Sequence, residues 1–201
     1  DDVVPGSPVR GAAPRVLVIG GSQGAHAINV AMGHAAAELA RRRPDLDLVH
    51  QTGERDLAAT RDAYRAAGLR ARAEAFLDPV APEMLRADLV IARAGATTLA
   101  ELAASGRPAL LVPFPAATDD HQRKNAEVLV QAGAAVMLEE QHLTGETLAS
   151  RIDALLGDAA GLTLMSDAMC RFARPDAAAR IVDRLIEIAG VNGSAQQVAR
   201  P

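Results

Sequence analysis

The stretch RVLVIGGSQGAHAIN, residues 15–29, runs as an apolar segment, breaks at two glycines and resumes in small residues with a helical pattern. Strand, glycine-rich turn and helix in that order form the opening unit of a doubly wound α/β domain. The same rhythm repeats outward from it. Apolar runs stand at 16–20, 47–51, 71–76, 88–93, 108–114 and 134–139, with helical patterns at about 23–42, 54–67, 96–105 and 119–132 among them. Six short runs interleaved with helices predict a six-stranded parallel sheet. Right-handed crossovers bring each strand back in the same direction and cover both faces. Helices over about 144–156, 160–170 and 175–189 are expected to close the domain. Residues 1–14, broken by Pro and Gly, read as an interdomain linker, 15–190 as a ligand-binding domain and 191–201 as a flexible tail.

The chain has 201 residues, 49% of them hydrophobic, which is enough for one domain to bury a core. Its net charge of −4 argues against a nucleic-acid partner, because holding a phosphate backbone requires clustered Lys and Arg. The one basic cluster, Arg41-Arg42-Arg43, stands at the end of a predicted helix, where cations complement the dipole. A single cysteine, Cys170, excludes an internal disulfide and a thiolate metal cluster, and fits a reducing compartment. No run approaches the roughly 18 apolar residues of a membrane span, and no charged-then-apolar leader is seen, so neither a span nor an export signal is expected. The loop-like opening from Asp1 reads as the interior of a longer protein.

In open α/β sheets ligands lie beyond the carboxyl ends of the strands, so the loops after the runs carry the chemistry. GGSQGA, residues 20–25, offers bare backbone and the free N–H groups of a helix start, a combination suited to an anion. A Walker-type phosphate loop would need Lys and then Ser or Thr after its last glycine, where Ala25 and His26 stand. A nicotinamide site would usually end the second strand on an acid, where His50-Gln51 stand. In ARAGATTLAE, residues 92–101, Gly95 and Ala96 keep a helix start small and Thr97 or Thr98 is expected to cap it. Glu101 there could accept from two vicinal ribose hydroxyls, or be a solvated surface acid. PFPAATDDHQRKNA, residues 113–126, places Gln122 or His121, and Asn125, at a helix start where amides both donate to and accept from a sugar. His121 as a general base competes with the ordinary reading of a solvated surface histidine. EAFLDP, residues 74–79, supplies an apolar residue and backbone groups for a flat base.

GGSQGA, HQTG (50–53), RAGATTLAE and DHQRKNA, in this order and spacing between about Ser7 and Glu139, resemble the C-terminal, donor-binding half of the GT-B glycosyltransferases. The similarity is greatest to members that move GlcNAc from UDP-GlcNAc onto lipid I, forming lipid II in peptidoglycan synthesis. It implies a Rossmann-like fold in which Gly20, Gly21 and Gly24 make room for the UDP diphosphate, with Arg10, Ser22 and Gln23 near the nucleotide. It further implies that Leu77 offers backbone to uracil and that Ala96, Thr97, Thr98, Leu99, Ala100 and Glu101 surround the ribose and phosphates, Glu101 as the ribose carboxylate. Gln122 and Asn125 would hold the GlcNAc. No catalytic residue is expected in this half, and no cofactor or metal, since no acidic D-x-D motif stands in these loops. The implied partners are UDP-GlcNAc, a missing N-terminal acceptor domain and, through that domain, lipid I and a membrane surface. The implied place is the cytoplasm, the full-length protein being peripheral on the cytoplasmic face of the bacterial inner membrane. Two alternatives stay open: a glycolipid-forming GT-B transferase, such as one acting on diacylglycerol, and a UDP-GlcNAc 2-epimerase-like domain, whose catalytic acids and bases are not located here.

Overall fold

A computed structural model describes residues 13–21 and 24–189. Its sheet is built from β1 (Arg15–Ile19), β2 (Asp47–Gln51), β3 (Ala71–Glu74), β4 (Leu89–Ala92), β5 (Ala109–Leu111) and β6 (Ala135–Met137). Around it lie α1 (His26–Arg42), α2 (Leu57–Ala67), α3 (Ala81–Arg86), α4 (Ala96–Ser105), α5 (His121–Gln131), α6 (Gly145–Gly157), α7 (Ala159–Cys170) and α8 (Ala177–Ile188). All strand pairs are parallel and the order is β3-β2-β1-β4-β5-β6. The chain therefore winds from β1 to one edge, returns through α3 and winds from β4 to the other edge.

The expected six-stranded α/β sheet is present, and its apolar runs are explained by burial on both faces. Along β1, Val16 and Val18 join a core with α1 and α6, while Leu17 and Ile19 join a second core with α4, α5 and α7. Alternate side chains of a strand point to opposite faces, so a run with no polar break is what a two-sided sheet requires. α1 packs on α2 and α6 over one face, and α4 on α3 and α7 over the other. α8 buries none of its residues against the rest of the described chain. No described helix is long and apolar enough to cross a membrane.

Several boundaries differ from the sequence reading, and α1 and α2 begin at His26 and Leu57 where helices were expected from about 23 and 54. α3 was not expected, because six residues show too little periodicity to stand out. The helix expected from 119 begins as α5 at His121, since Asp119 (φ 52°) and Asp120 (φ 55°) are left-handed and break it from the 3-10 turn Thr118–Asp120. Several strands are shorter than their apolar runs, β5 being Ala109–Leu111 where 108–114 was expected, because pairing stops before burial does. Most of residues 1–14 and all of 191–201, assigned to the linker and tail, lie outside the described residues.

Candidate functional site

The strand register aligns the carboxyl ends in one row: Glu74, Gln51, Ile19, Ala92, Leu111 and Met137 are successive partners from β3 to β6. From β3 to β5 the row spans four strand intervals, roughly 19 Å at ~4.8 Å each. The order reverses between β1 and β4, so the loops after these two strands diverge and leave a crevice between them. Gly21, Leu77, Ala96, Gln122 and Asn125 stand on loops or in the first turns of helices along this row, and residues 97–101 run on along α4. Arg10, Ser22 and Gln23 lie outside the described residues.

The three glycines after β1 have separate causes. A Cβ on Gly20 would lie 2.6–2.8 Å from Gly24 backbone atoms and against the Ala25 nitrogen. One on Gly24 (φ +74°) would strike the Thr52 carbonyl, with Gly53 N at 3.2 Å. Both positions are required to be glycine by the chain's own packing. At Gly21 a Cβ would meet nothing within 4 Å, although its φ of +80° still favours glycine. Gly21 is thus the position where the turn faces open space.

Behind it α1 starts at Ala25 with no side-chain cap and no acid in its first turn, and α4 starts at Gly95 in the same way. Thr97 and Thr98, expected to cap α4, do not: the cap position is Gly95, in extended backbone, and the threonines fall inside the first turn. Neither helix start has a side-chain cap from its cap residue, and each carries about half a positive charge, which favours an anion beside it. Glu101 lies further along α4, is exposed and has no ion pair among the described residues.

The other loops are tied to one another. Gln122 accepts the Phe114 N–H on Oε1 at 3.0 Å, and Asn125 donates Nδ2 to the Ala94 carbonyl at 3.1 Å. Each amide keeps its other end, Gln122 Nε2 and Asn125 Oδ1, without a partner among the described residues. His121 donates Nδ1 to the Thr118 carbonyl at 2.8 Å and is exposed. The Leu77 side chain is buried and its N–H is already donated to Gln51, so what the backbone leaves for a base is the carbonyl. Phe76 beside it is 59% exposed.

Three groups had no role in the sequence reading although their motifs were noted. Arg93, the residue after β4, donates to the carbonyls of Val112 and Pro113, pairs with Glu140 at 2.5 Å and lies 5.3 Å from the Phe114 ring centroid. It holds the loops after β5 and β6 against β4. Gln51 bridges the loops after β1 and β3. His50 belongs to a buried chain: Asn29 donates Nδ2 to the Thr52 carbonyl and to Asp56, each at 2.8 Å, so its Oδ1 must accept from His50 Nε2 at 3.0 Å. His50 Nδ1 then accepts from the Tyr64 hydroxyl at 2.6 Å, which is the neutral imidazole. Burial brings the His50 pKa down to about 3 and pushes the Tyr64 hydroxyl up. Burial also opposes ionisation of Asp56, but hydrogen bonds from Asn29 and His26 outweigh it and hold the carboxyl below its usual value. A polar pair ending an apolar strand was the available signal, because buried polar groups must find partners.

Among the described residues no group of three or more His, Cys, Asp or Glu side chains could hold a metal ion. Asp45 and Asp47 have D-x-D spacing, but they lie at the start of β2, at the opposite end of the sheet, and Asp47 is paired with Arg15 at 2.6 Å.

Residues 15–181 match the family model described as the glycosyltransferase family 28 C-terminal domain. The UDP-N-acetylglucosamine--N-acetylmuramyl-(pentapeptide) pyrophosphoryl-undecaprenol N-acetylglucosamine transferase of Trichlorobacter lovleyi is 48% identical over 173 residues, covering 86% of this chain and 45% of that protein. The enzyme of the same name from Geobacter sulfurreducens is 47% identical over 171 residues, 85% of this chain and 47% of that protein. The crystal structure of Acinetobacter baumannii MurG superposes with a TM-score of 0.81 at 32% identity, covering 90% of this chain and 54% of that one. A putative UDP-N-acetylglucosamine 2-epimerase from Listeria monocytogenes, at 17% identity and a TM-score of 0.66, covering 94% of this chain and 49% of that one, shares the fold. This chain spans about half the length of the curated relatives it matches. On its fold, its loops and this match, the chain belongs to the glycosyltransferase family 28 C-terminal domain family.

Proposed function

We propose that this chain is the donor-binding half of an N-acetylglucosaminyltransferase that moves GlcNAc from UDP-GlcNAc onto lipid I, forming lipid II in peptidoglycan synthesis. The reading is supported by the relatives that carry this activity in their names. The observation that carries it is the pair of uncapped helix starts, α1 and α4, flanking the crevice between β1 and β4. In this reading the diphosphate lies against Gly21 and the first N–H groups of α1, with Arg10, Ser22 and Gln23 completing that end. The Leu77 carbonyl accepts from uracil. Residues Ala96, Thr97, Thr98, Leu99 and Ala100 line the ribose and phosphates, and the Glu101 carboxylate accepts from the two ribose hydroxyls. Gln122 Nε2 donates to the GlcNAc, and Asn125 Oδ1 accepts from it.

The acceptor oxygen forms a bond to C1 of GlcNAc as the C1–O bond to UDP breaks, and the electron pair leaves with UDP. Fixed N–H dipoles at the helix starts stabilise that growing negative charge without reorganising, which is where this half contributes to the rate. Its residues take no proton in the step. The acceptor hydroxyl, the group that deprotonates it and the membrane-facing surface belong to an N-terminal half, joined through residues 1–14 and working at the cytoplasmic face of the membrane. The domain is residues 15–190, and 191–201 are its tail.

Calorimetry with UDP and UDP-GlcNAc, in EDTA and then with Mg²⁺ or Mn²⁺, tests the reading, with Glu101→Ala beside the unaltered chain. Both ligands are expected to bind in EDTA. The variant is expected to lose about 1.5–3 kcal/mol of UDP affinity, the range for a hydrogen bond to a charged group. Binding that appears with metal alone would overturn the dipole reading, and unchanged affinity in the variant would return Glu101 to a solvated acid. A preference for UDP-glucose, GDP-mannose or NAD would point to another family activity.

A further inference from the structure

Gln51 ends β2 in the row of strand termini, and it is 5% exposed. Both ends of its amide are used, each on the backbone of a different loop. Nε2 donates to the Gly21 carbonyl at 2.9 Å, and Oε1 accepts the Leu77 N–H at 3.2 Å. Gly21 is the turn residue that faces open space and is assigned above to the diphosphate, and Leu77 belongs to the loop assigned to the base. The two loops are remote in sequence and emerge from strands on either side of β2. The Gly21 carbonyl also receives the Gly24 N–H at 3.0 Å, so the same oxygen ties the turn to itself and to β2.

We propose that Gln51 is a positioning residue that fixes the separation between the diphosphate loop and the base loop, so that a uridine diphosphate meets both already in register. The inference rests on the nucleotide reading above. Its physical basis is that a planar amide carries one acceptor and one donor group at fixed separation, and the two loops present the complementary pair: an N–H on one side and a carbonyl on the other. Holding both backbones still before the ligand arrives removes an ordering loss from binding, and a ligand spanning both loops benefits most. Neighbouring His50 faces the opposite side of the sheet and anchors Asn29 near the start of α1, so the end of β2 steadies the turn from both faces.

The test compares the unaltered chain with Gln51→Leu and Gln51→Glu, using UDP and uridine as probes in calorimetry and ligand-observed NMR, after thermal melting shows each variant folded. Gln51→Leu removes both bonds at similar volume, and UDP affinity is expected to fall about tenfold while uridine, which touches one loop, changes less than about twofold. Gln51→Glu turns a carboxylate toward the Gly21 carbonyl. Once protonated, its O–H donates to that carbonyl and its other oxygen accepts from Leu77, restoring both bonds. Its UDP deficit is therefore expected to be about tenfold at pH 8 and to shrink to about twofold at pH 5.5, each against the unaltered chain at the same pH. A residue that merely supports the fold would weaken UDP and uridine alike and show no such recovery. Unchanged UDP affinity in Gln51→Leu, equal losses for the two ligands, or a Gln51→Glu deficit that does not shrink as pH falls would each overturn the inference while leaving the nucleotide reading in place. Failure of UDP to bind the unaltered chain would overturn both.

Discussion

Replacing Gly24 by alanine separates glycine that serves the chain from glycine that serves a ligand. The new Cβ would strike the Thr52 carbonyl and lie 2.8 Å from the Thr52 carbonyl carbon, both backbone atoms that no side-chain rotation can move. Thr52 cannot retreat cheaply, because its N–H is bonded to the Glu74 carbonyl at 2.9 Å and its carbonyl takes the Asn29 amide at 2.8 Å. Two terms add. A non-glycine residue at φ +74° costs about 1–2 kcal/mol. Overpacking against a held backbone costs about 1–3 kcal/mol more. The sum centres on about 3.5 kcal/mol, a large fraction of the roughly 5–15 kcal/mol that holds a domain folded. At about 2–4 °C per kcal/mol for a chain of this size, Gly24→Ala should melt about 7–14 °C lower with no ligand present. Gly21→Ala is the control: its φ of +80° carries the conformational term, but its Cβ meets nothing, so a loss of about 1–2 kcal/mol is expected in the same melting experiment. With UDP added the order of interest reverses, because the proposed diphosphate position lies against Gly21 and its variant should lose affinity while staying folded. Equal unfolding free energies for the two variants, or a Gly24→Ala chain as stable as the unaltered one, would refute the assignment of Gly24 to packing.

Gln122→Ala should weaken UDP-GlcNAc by on the order of 1 kcal/mol while sparing UDP, because the proposed reading assigns its Nε2 to the sugar and the Phe114 N–H it releases is near solvent; equal losses in parallel titrations would move the residue to the phosphates. The buried neutral His50 makes stability depend on acid. Its folded pKa, about 3, lies below the unfolded value near 6.5, so its contribution is complete above pH 6.5 and is lost as pH falls toward 3. Urea unfolding between pH 7.5 and 4.5 should lose up to about 1.4 kcal/mol per pH unit from this group, and His50→Gln should flatten the profile; parallel profiles for the two chains would refute it.

The alternation of apolar runs and helical patterns is legible in the sequence because strand and helix periodicities are local, and a sheet covered on both faces leaves its runs unbroken by polar residues. The glycine turn after β1, the loops beyond the strand ends and the amides at the start of α5 are legible for the same reason: each needs particular residues within a few positions of one another. The start of α5 is less so, because Asp119 and Asp120 take a left-handed conformation that their identity permits without requiring. What the three glycines are for was decided only in three dimensions. Gly24 meets Thr52, which arrives from another strand, and nothing near Gly24 in sequence announces that contact. The same holds for Gln51, which joins Gly21 to Leu77, and for Arg93, which reaches Pro113 and Glu140. Hydrophobic pattern and backbone propensity act between neighbours along the chain. The pairing of a buried donor with its acceptor depends on strand order and register, and those exist only once the whole sheet has formed.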